Sequence, residues 1–228
     1  MDKAIALDPS VAGQEAKPFA FEKKVYGHST VKNALKAAKH HKCAYCEANF
    51  DGNAFADVEH FRPKAFSQQS KTAAKLCPGY YWLAYAWSNL LYACERCNRP
   101  VKRNLFPLKN PTTRARQSGD DLAAEEPLLI DPAGPADPRD HLRFRHNKPF
   151  GITERGRETL RTMGLDRSQL DDPRLRHICL VETLRRVANL VPANPQILVE
   201  IERARVELAL LVKPEAPFSA MTQDLLAA

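Results

Sequence analysis

Cys43-Ala44-Tyr45-Cys46 and, after 47 intervening residues, Cys94-Glu95-Arg96-Cys97 are two pairs of identical spacing, and between them stands Val58-Glu59-His60-Phe61-Arg62-Pro63-Lys64. Each C-x-x-C places two thiolates on one tight turn, and two such turns suit tetrahedral zinc with sulfurs at about 2.3 Å. Cys43, Cys46, Cys94 and Cys97 are therefore expected to hold a structural Zn2+. Four cysteines leave the metal no open position, so any catalysis must come from the insert that the site pins at both ends.

The surroundings of these pairs are those of an ordinary soluble protein. The 228 residues are 44% hydrophobic and 27% charged, which excludes a mostly disordered chain. No apolar run approaches the roughly 18–20 residues that span a bilayer, and no apolar stretch follows a basic start at the N-terminus. A cytoplasmic location without membrane contact is expected, and there paired cysteines hold zinc more often than they form disulfides. The net charge of +7 suits a polyanion such as nucleic acid, and equally a basic but inert surface.

Local patterns divide the rest. Val31, Leu35 and Ala38 at helical spacing predict a short helix within residues 25–41, with His40 and His41 exposed on it. Tyr80, Tyr81, Trp82, Tyr85, Trp87 and Tyr92 crowd together; such a cluster packs a core more often than it stacks on bases. Seven of the 17 prolines fall between Pro100 and Pro138, which predicts extended connection rather than regular structure. Beyond it, Thr153 is placed to cap a helix ending near Gly164, and Asp172-Pro173 and Asn194-Pro195 read as N-caps followed by proline at the first helical position. The last of these helices would bury Ile197, Ile201, Leu208 and Leu211. Cys77 and Cys179 are expected to be buried, unreactive thiols.

Within the insert, Glu59-His60, Asn89, Asn98 and the cations Arg62, Lys64, Arg99 and Lys102 form a chemically coherent set. Phosphodiester hydrolysis needs a base for water, and a histidine of near-neutral pKa supplies one at cellular pH. It also needs a cation against the charge of the leaving oxygen, which oxygen donors such as Glu59 and Asn98 would hold as Mg2+ or Mn2+ rather than zinc. Arg62, Lys64, Arg99 and Lys102 are candidates for nucleic-acid binding through neighbouring phosphates. Taken singly, each has a duller reading: surface charge, a turn asparagine, an αL residue closing a zinc turn.

In this order the residues from about Cys43 to Leu108 resemble the HNH endonucleases. That resemblance implies an α+β fold with a ββα-metal (HNH) core, a four-cysteine structural zinc site and mostly helical flanks at both ends. It assigns His60 as general base, Glu59 and Asn98 as ligands of the catalytic ion, and Asn89 as the tie of the hairpin loop. Two positions depart from the usual pattern: Glu59 stands where aspartate is common, and Asn98 where histidine often does. Implied divisions are a basic helical segment at 1–42, a nuclease core at 43–110, an extended proline-rich connection at 111–150 and a helical region at 151–228 that would dock a partner.

A narrower resemblance runs from about Val25 to Arg176. Cys43-Ala44-Tyr45-Cys46-Glu47, Tyr81-Trp82-Leu83-Ala84-Tyr85, Asn104-Leu105-Phe106-Pro107-Leu108, Glu126-Pro127-Leu128-Leu129-Ile130-Asp131-Pro132 and Gly164-Leu165-Asp166-Arg167 are similar to the PtuB nucleases of Septu antiphage systems, whose relatives also serve retrons. This implies a metal-dependent endonuclease of bacterial antiviral defence, acting with a PtuA-like ATPase on DNA by family frequency, or on tRNA or another RNA. The alternative from another class is a non-cleaving zinc-ribbon subunit that binds nucleic acid or serves as an adaptor.

Overall fold

The computed structural model describes residues 19–50 and 56–227. It combines six α-helices with two small sheets, each of two antiparallel strands, among the described residues. A single turn, α1 (Lys23–Tyr26), precedes α2 (Ser29–Ala38); the break falls at Gly27-His28, and the His28 side chain accepts from Thr30 N–H at 3.3 Å to cap α2. The helix predicted over 25–41 is thus shorter. His40 and His41 are not buried but lie beyond its end, both at positive φ.

Strand β1 (Ala56–His60) pairs with β2 (Leu90–Cys94) in a register that sets Glu59 opposite Leu91 and His60 opposite Leu90. All five residues of β2 are buried, because both its faces are covered. Leu35 of α2 packs with Leu90 and Tyr92, while Leu91 joins Phe61, Tyr80, Phe106, Leu108 and Leu129. The proline-rich stretch therefore supplies core. Its path holds no long helix or ladder, only a π-type turn at Cys97–Lys102 and 3-10 turns at Pro111–Thr113, Leu122–Ala124 and Pro138–Asp140. Buried Glu125 anchors it, accepting from Tyr80 Oη (2.7 Å), Ala115 N–H (2.9 Å) and Arg62 Nε (3.0 Å).

The second sheet joins β3 (Leu142–Arg145) to β4 (Lys148–Gly151) through the two-residue loop His146-Asn147; proline density gave no sign of it. Helix α3 (Glu154–Met163) starts as predicted, with Thr153 Oγ1 accepting from Gly156 N–H, and ends at Gly164 in the αL conformation. A Cβ on Gly156 would collide with the His141 carbonyl, so only glycine lets α3 approach the sheet this closely.

Helix α4 (Asp171–Ala188) begins two residues earlier than predicted, with Asp172 and Pro173 inside its first turn. Asn194 does cap α5 (Pro195–Leu211), accepting from Ile197 N–H at 3.0 Å. Ile201 and Ala204 are buried in the stripe that α5 turns to α4. Helix α6 (Ser219–Ala227) returns to β3, where Asp224 accepts from the Phe144 N–H and from Arg139 and Arg143.

Two expectations need correction. Cys77 and Cys179 are exposed: Cys77 sits in a surface turn and Cys179 on the outer side of α4, where burial of α4 falls instead to Arg174, Ile178 and Val181. The aromatic cluster splits, with Tyr80 and Tyr92 buried while Tyr85 and Trp87 are about half exposed. No helix among the described residues is long and apolar enough to cross a membrane.

Candidate functional site

The four paired cysteines converge. Cys43, Cys46, Cys94 and Cys97 are all buried, and their sulfurs lie within 4.8 Å of one another. Zinc with bonds of about 2.3 Å needs sulfurs about 3.8 Å apart, so small adjustments close the tetrahedron; Cys46 Sγ and Cys94 Sγ already stand at 4.0 Å. The pairs meet because β2 ends at Cys94 while Ala44 N–H donates to the Tyr92 carbonyl, which clips the first turn to that strand. Arg167 Nη2 donates to Cys97 Sγ at 3.2 Å, a positive charge suited to a thiolate cluster. The tetrad fits zinc, and Met163, Leu165 and Leu170 pack around it.

A second centre runs along β1. A cavity of about 680 Å³ is lined by Asp57, Glu59, His60, Lys64, Asn98 and Arg99, with Lys23 and Tyr26 of α1 at its wall. His60 is buried, and its Nε2–H donates to the Ala84 carbonyl at 2.9 Å. That bond fixes the tautomer, leaving the Nδ1 lone pair on the other side of the ring, 3.3 Å from Lys64 Nζ. Burial first, and the Lys64 charge second, lower the His60 pKa to about 4, so the ring is neutral near pH 7. Tyr26 meets the imidazole edge-on at 4.8 Å and lies 4.6 Å beneath the Lys64 ammonium.

Asn89 bridges the two ends of the long connection between the strands. Its Oδ1 accepts from Arg62 N–H (2.8 Å), and its Nδ2 donates to the Arg62 and Leu83 carbonyls (3.0 and 3.2 Å). The backbone adds Phe61 N–H to the Asn89 carbonyl at 3.0 Å. His60 is thus held from three directions: by β2 through the register, by Asn89 just past it, and by Ala84 from within the loop.

The cations behave differently from a row of phosphate clamps. Lys102 is fully buried; its Nζ donates to the His60 carbonyl (2.8 Å) and stands 2.5 Å from Glu59 Oε1. A phosphate in solvent cannot reach it without displacing Glu59, so Lys102 supports the strand from inside. Arg62 is directed to Glu125, leaving little of its side chain exposed. Lys64 and Arg99 do face the cavity, Arg99 held by both oxygens of Asp57 at 2.9 Å and by Glu95.

Glu59 and Asn98 share the cavity wall but have different partners. Asn98 Nδ2 donates to Asp57 Oδ2 at 3.0 Å, whereas Glu59 pairs with Lys102. Asp57 is the carboxylate that sequence reading missed, although two-residue periodicity on a strand puts it on the same face as Glu59. Burial raises the Glu59 pKa despite Lys102, and buried Glu59 Oε1 faces that ammonium as an ion pair without a well-directed hydrogen bond. Asp57, Glu59 and Asn98 carry oxygen donors of the kind Mg2+ or Mn2+ prefers, and an ion bound there would have to displace Arg99 from Asp57 and Lys102 from Glu59.

The chain is 39% identical over 162 residues to Septu protein PtuB of Bacillus mycoides (strain KBAB4), which covers 68% of this chain and 52% of that protein. It is 36% identical over 75 residues to Septu protein PtuB of Bacillus thuringiensis, which covers 32% of this chain and 24% of that protein. The chain thus spans about half the length of the first of these relatives and less of the second. No protein-family model matches it, and no solved structure does. The similarity to PtuB anticipated from short motifs is therefore present across two thirds of the chain.

Proposed function

We propose, taking similarity to Septu protein PtuB as the premise, that this chain is a metal-dependent endonuclease of an antiphage defence system. The observation that carries the reading is the His60 tautomer: Nε2–H is committed to the Ala84 carbonyl, so Nδ1 is the accepting nitrogen, which takes a hydrogen bond from Lys64 Nζ at 3.3 Å in a residue that lines a cavity walled by two carboxylates. In the proposed reaction His60 takes a proton from water at Nδ1, its neutrality at pH 7 making the lone pair available. Lys64 and Arg99 hold and orient phosphate oxygens. Lys102 and Asn89 act without touching substrate; they keep the end of β1 and the His60 ring in place. Asp57, Glu59 and Asn98 would hold a divalent ion, which when bound stabilises charge on the leaving oxygen. Zinc on Cys43, Cys46, Cys94 and Cys97 would be structural.

A nuclease of this kind needs restraint, and a PtuA-like ATPase is the proposed partner. Leu180, Leu198, Val206 and Leu210, about half exposed on α4 and α5, support docking on the C-terminal helices. DNA is the favoured substrate. The purified chain, with and without a PtuA-like ATPase, is to be incubated with plasmid DNA and total tRNA in Mg2+ or Mn2+. Cleavage is expected with wild type, and a loss of about 10²–10⁴-fold in His60→Ala, whose zinc content stays near one per chain. Equal cleavage by His60→Ala would refute the base assignment, and absence of cleavage in every condition would favour the non-cleaving adaptor.

A further inference from the structure

We infer that Arg103, with Lys23 and Lys32, binds phosphates flanking the scissile bond, so that the β1 cavity selects a polynucleotide over a small phosphodiester. The inference takes its substrate from the nuclease reading and its residues from two separate observations.

The first is charge. Lys23, Lys32, Lys64, Arg99 and Arg103 line the cavity, and the carboxylates among its lining residues are those of Asp57 and Glu59. His60 is neutral near pH 7, so cations outnumber anions before any metal ion adds to the excess. A small diester carries one negative charge and leaves most of that excess unanswered, whereas a strand brings one with every nucleotide. Lys23 and Arg103 are exposed and Lys32 is half-buried, and none of these three side chains has a hydrogen bond or ion pair among the described residues. They differ in this from Arg62 and Lys102, which are committed to Glu125 and Glu59. Like charges are also gathered: burial lowers the Lys64 pKa, Glu59 opposes the fall, and the charges of Lys102 and Lys23 add to it.

The second is backbone strain. Leu105 N–H donates to the Lys102 carbonyl at 2.9 Å, closing a turn with Arg103 and Asn104 at its centre. Arg103 holds φ +52° and ψ −116°, the first central position of a type II′ turn, where glycine is the usual residue because a Cβ crowds the backbone. The turn is fixed from outside as well. Arg103 N–H donates to the Asn98 carbonyl and Gln68 N–H to the Asn104 carbonyl, both at 2.9 Å, while buried Lys102 is bonded to the His60 carbonyl. Glycine would close the same turn without strain, so the fold itself does not require an arginine there. Strained non-glycine positions gather at binding and active sites, and this one carries an unpaired, exposed guanidinium on the wall of the cavity.

Duplex affinity as a function of salt tests the assignment. Binding of a short fluorescent DNA duplex by the whole chain, without added Mg2+ or Mn2+, is followed by anisotropy from about 50 to 200 mM KCl. Each phosphate contact adds about 0.9 to the fall of log K with log salt, so the wild-type slope is expected at about 3 or more. Arg103→Gln, Lys23→Gln and Lys32→Gln should each lower it by about 1 and weaken binding about tenfold at about 0.1 M salt. Arg103→Lys, which keeps the charge, should keep both. Arg103→Gly should lose the contact yet melt about 1–4 °C higher, because the turn is relieved. Lys213→Gln removes an exposed lysine beyond α5 that does not line the cavity, and should change neither slope nor affinity. A wild-type slope near 1, slopes unmoved by the three glutamine variants, or an equal loss in Lys213→Gln would each overturn the inference. Cleavage enters none of these readouts: failure here would leave His60 as the base, and binding through these cations without cleavage would refute the nuclease reading alone.

Discussion

Both sheets of this molecule are two-stranded and antiparallel, but they are closed by different means. Strands β3 and β4 are joined by His146-Asn147 alone, so each strand brings its partner back within a few residues. Strands β1 and β2 are separated by residues 61–89, and their pairing relies on groups outside the ladder: Asn89 across the loop mouth, Lys102 beneath β1, and a cysteine cluster beyond Cys94. Loop-closure entropy grows with the length of the connection, so the longer hairpin must be compensated by side chains outside the ladder. The candidate residues Asp57, Glu59, His60, Lys64 and Asn89 lie on the hairpin that needs such support. Its long connection is also what brings Ala84 back over His60.

Removing zinc is expected to have the largest effect and to separate the two hairpins. Structural zinc in small domains contributes roughly 10 kcal/mol or more of apparent free energy, comparable to the whole stability of many proteins. Cys94→Ser, or chelation of the wild type, should abolish the zinc content and expose β1–β2 amides to hydrogen exchange. Protection of β3–β4 should outlast it, because α3 and α6 cover that sheet. Simultaneous loss in both sheets would mean one cooperative unit and remove the contrast.

A pair of asparagines gives the next contrast. Asn89→Ala leaves Arg62 N–H and the carbonyls of Arg62 and Leu83 without their partner, an expected loss of about 3 kcal/mol. Asn147→Ala forfeits one part-buried bond to Asp171 and should lose under about 1 kcal/mol. Denaturant titration of both variants checks the difference, and equal losses would mean that the long loop does not depend on its tie.

The sequence made the first hairpin's chemistry legible better than its geometry. Two identical cysteine spacings announced the cluster, and Glu59-His60, Asn89 and Asn98 marked out a candidate site beside it. Residue types alone do not say which way a side chain is directed, and so Lys102 read as a surface cation when it is the buried partner of Glu59. Asp57 was overlooked because a lone aspartate two residues before a motif has no signature until a strand sets the period. The β3–β4 hairpin was nearly silent: four-residue strands of mixed composition and a His-Asn turn carry little signal against seven prolines upstream. Caps at Thr153 and Asn194 were readable because a cap is a local hydrogen bond, while α4 began two residues early because Leu170 leads into it from a preceding turn rather than through a capping side chain.

Acid should weaken the layer over β3 in a graded way. His177 of α4 is packed against α6, with Nε2 2.7 Å from Thr222 Oγ1 and Phe218 edge-on at 5.6 Å. Burial lowers its pKa, partly opposed by Glu47, the charged group that bears on it. The folded protein therefore prefers the neutral ring, and the unfolded chain binds the proton first as pH falls. The contribution is fully present above about pH 6.5 and is lost as pH falls from there through the lower folded value. His177→Gln, which can still bond Thr222, should flatten the melting temperature between pH 7 and 5. An unchanged slope would place the acid sensitivity elsewhere.

The smallest effect is expected at the tip of the second hairpin, and its sign is the informative part. His146 holds φ at +56°, and it alone of the two loop residues does so. A two-residue hairpin turn with positive φ at its first position favours glycine there, because a Cβ crowds the neighbouring backbone. Histidine tolerates the strain, with its Nδ1 3.2 Å from Asn147 Oδ1 on an exposed loop. His146→Gly should raise stability by about 0.5–1 kcal/mol, or about 1–4 °C in melting temperature for a chain of this size. Greater freedom of glycine in the unfolded chain opposes the gain, which is why it stays small. Within residues 61–89 no single turn closes the hairpin, so no one substitution there has an equivalent effect. A loss of stability in His146→Gly would show that the second hairpin, like the first, depends on side-chain contacts rather than on its turn.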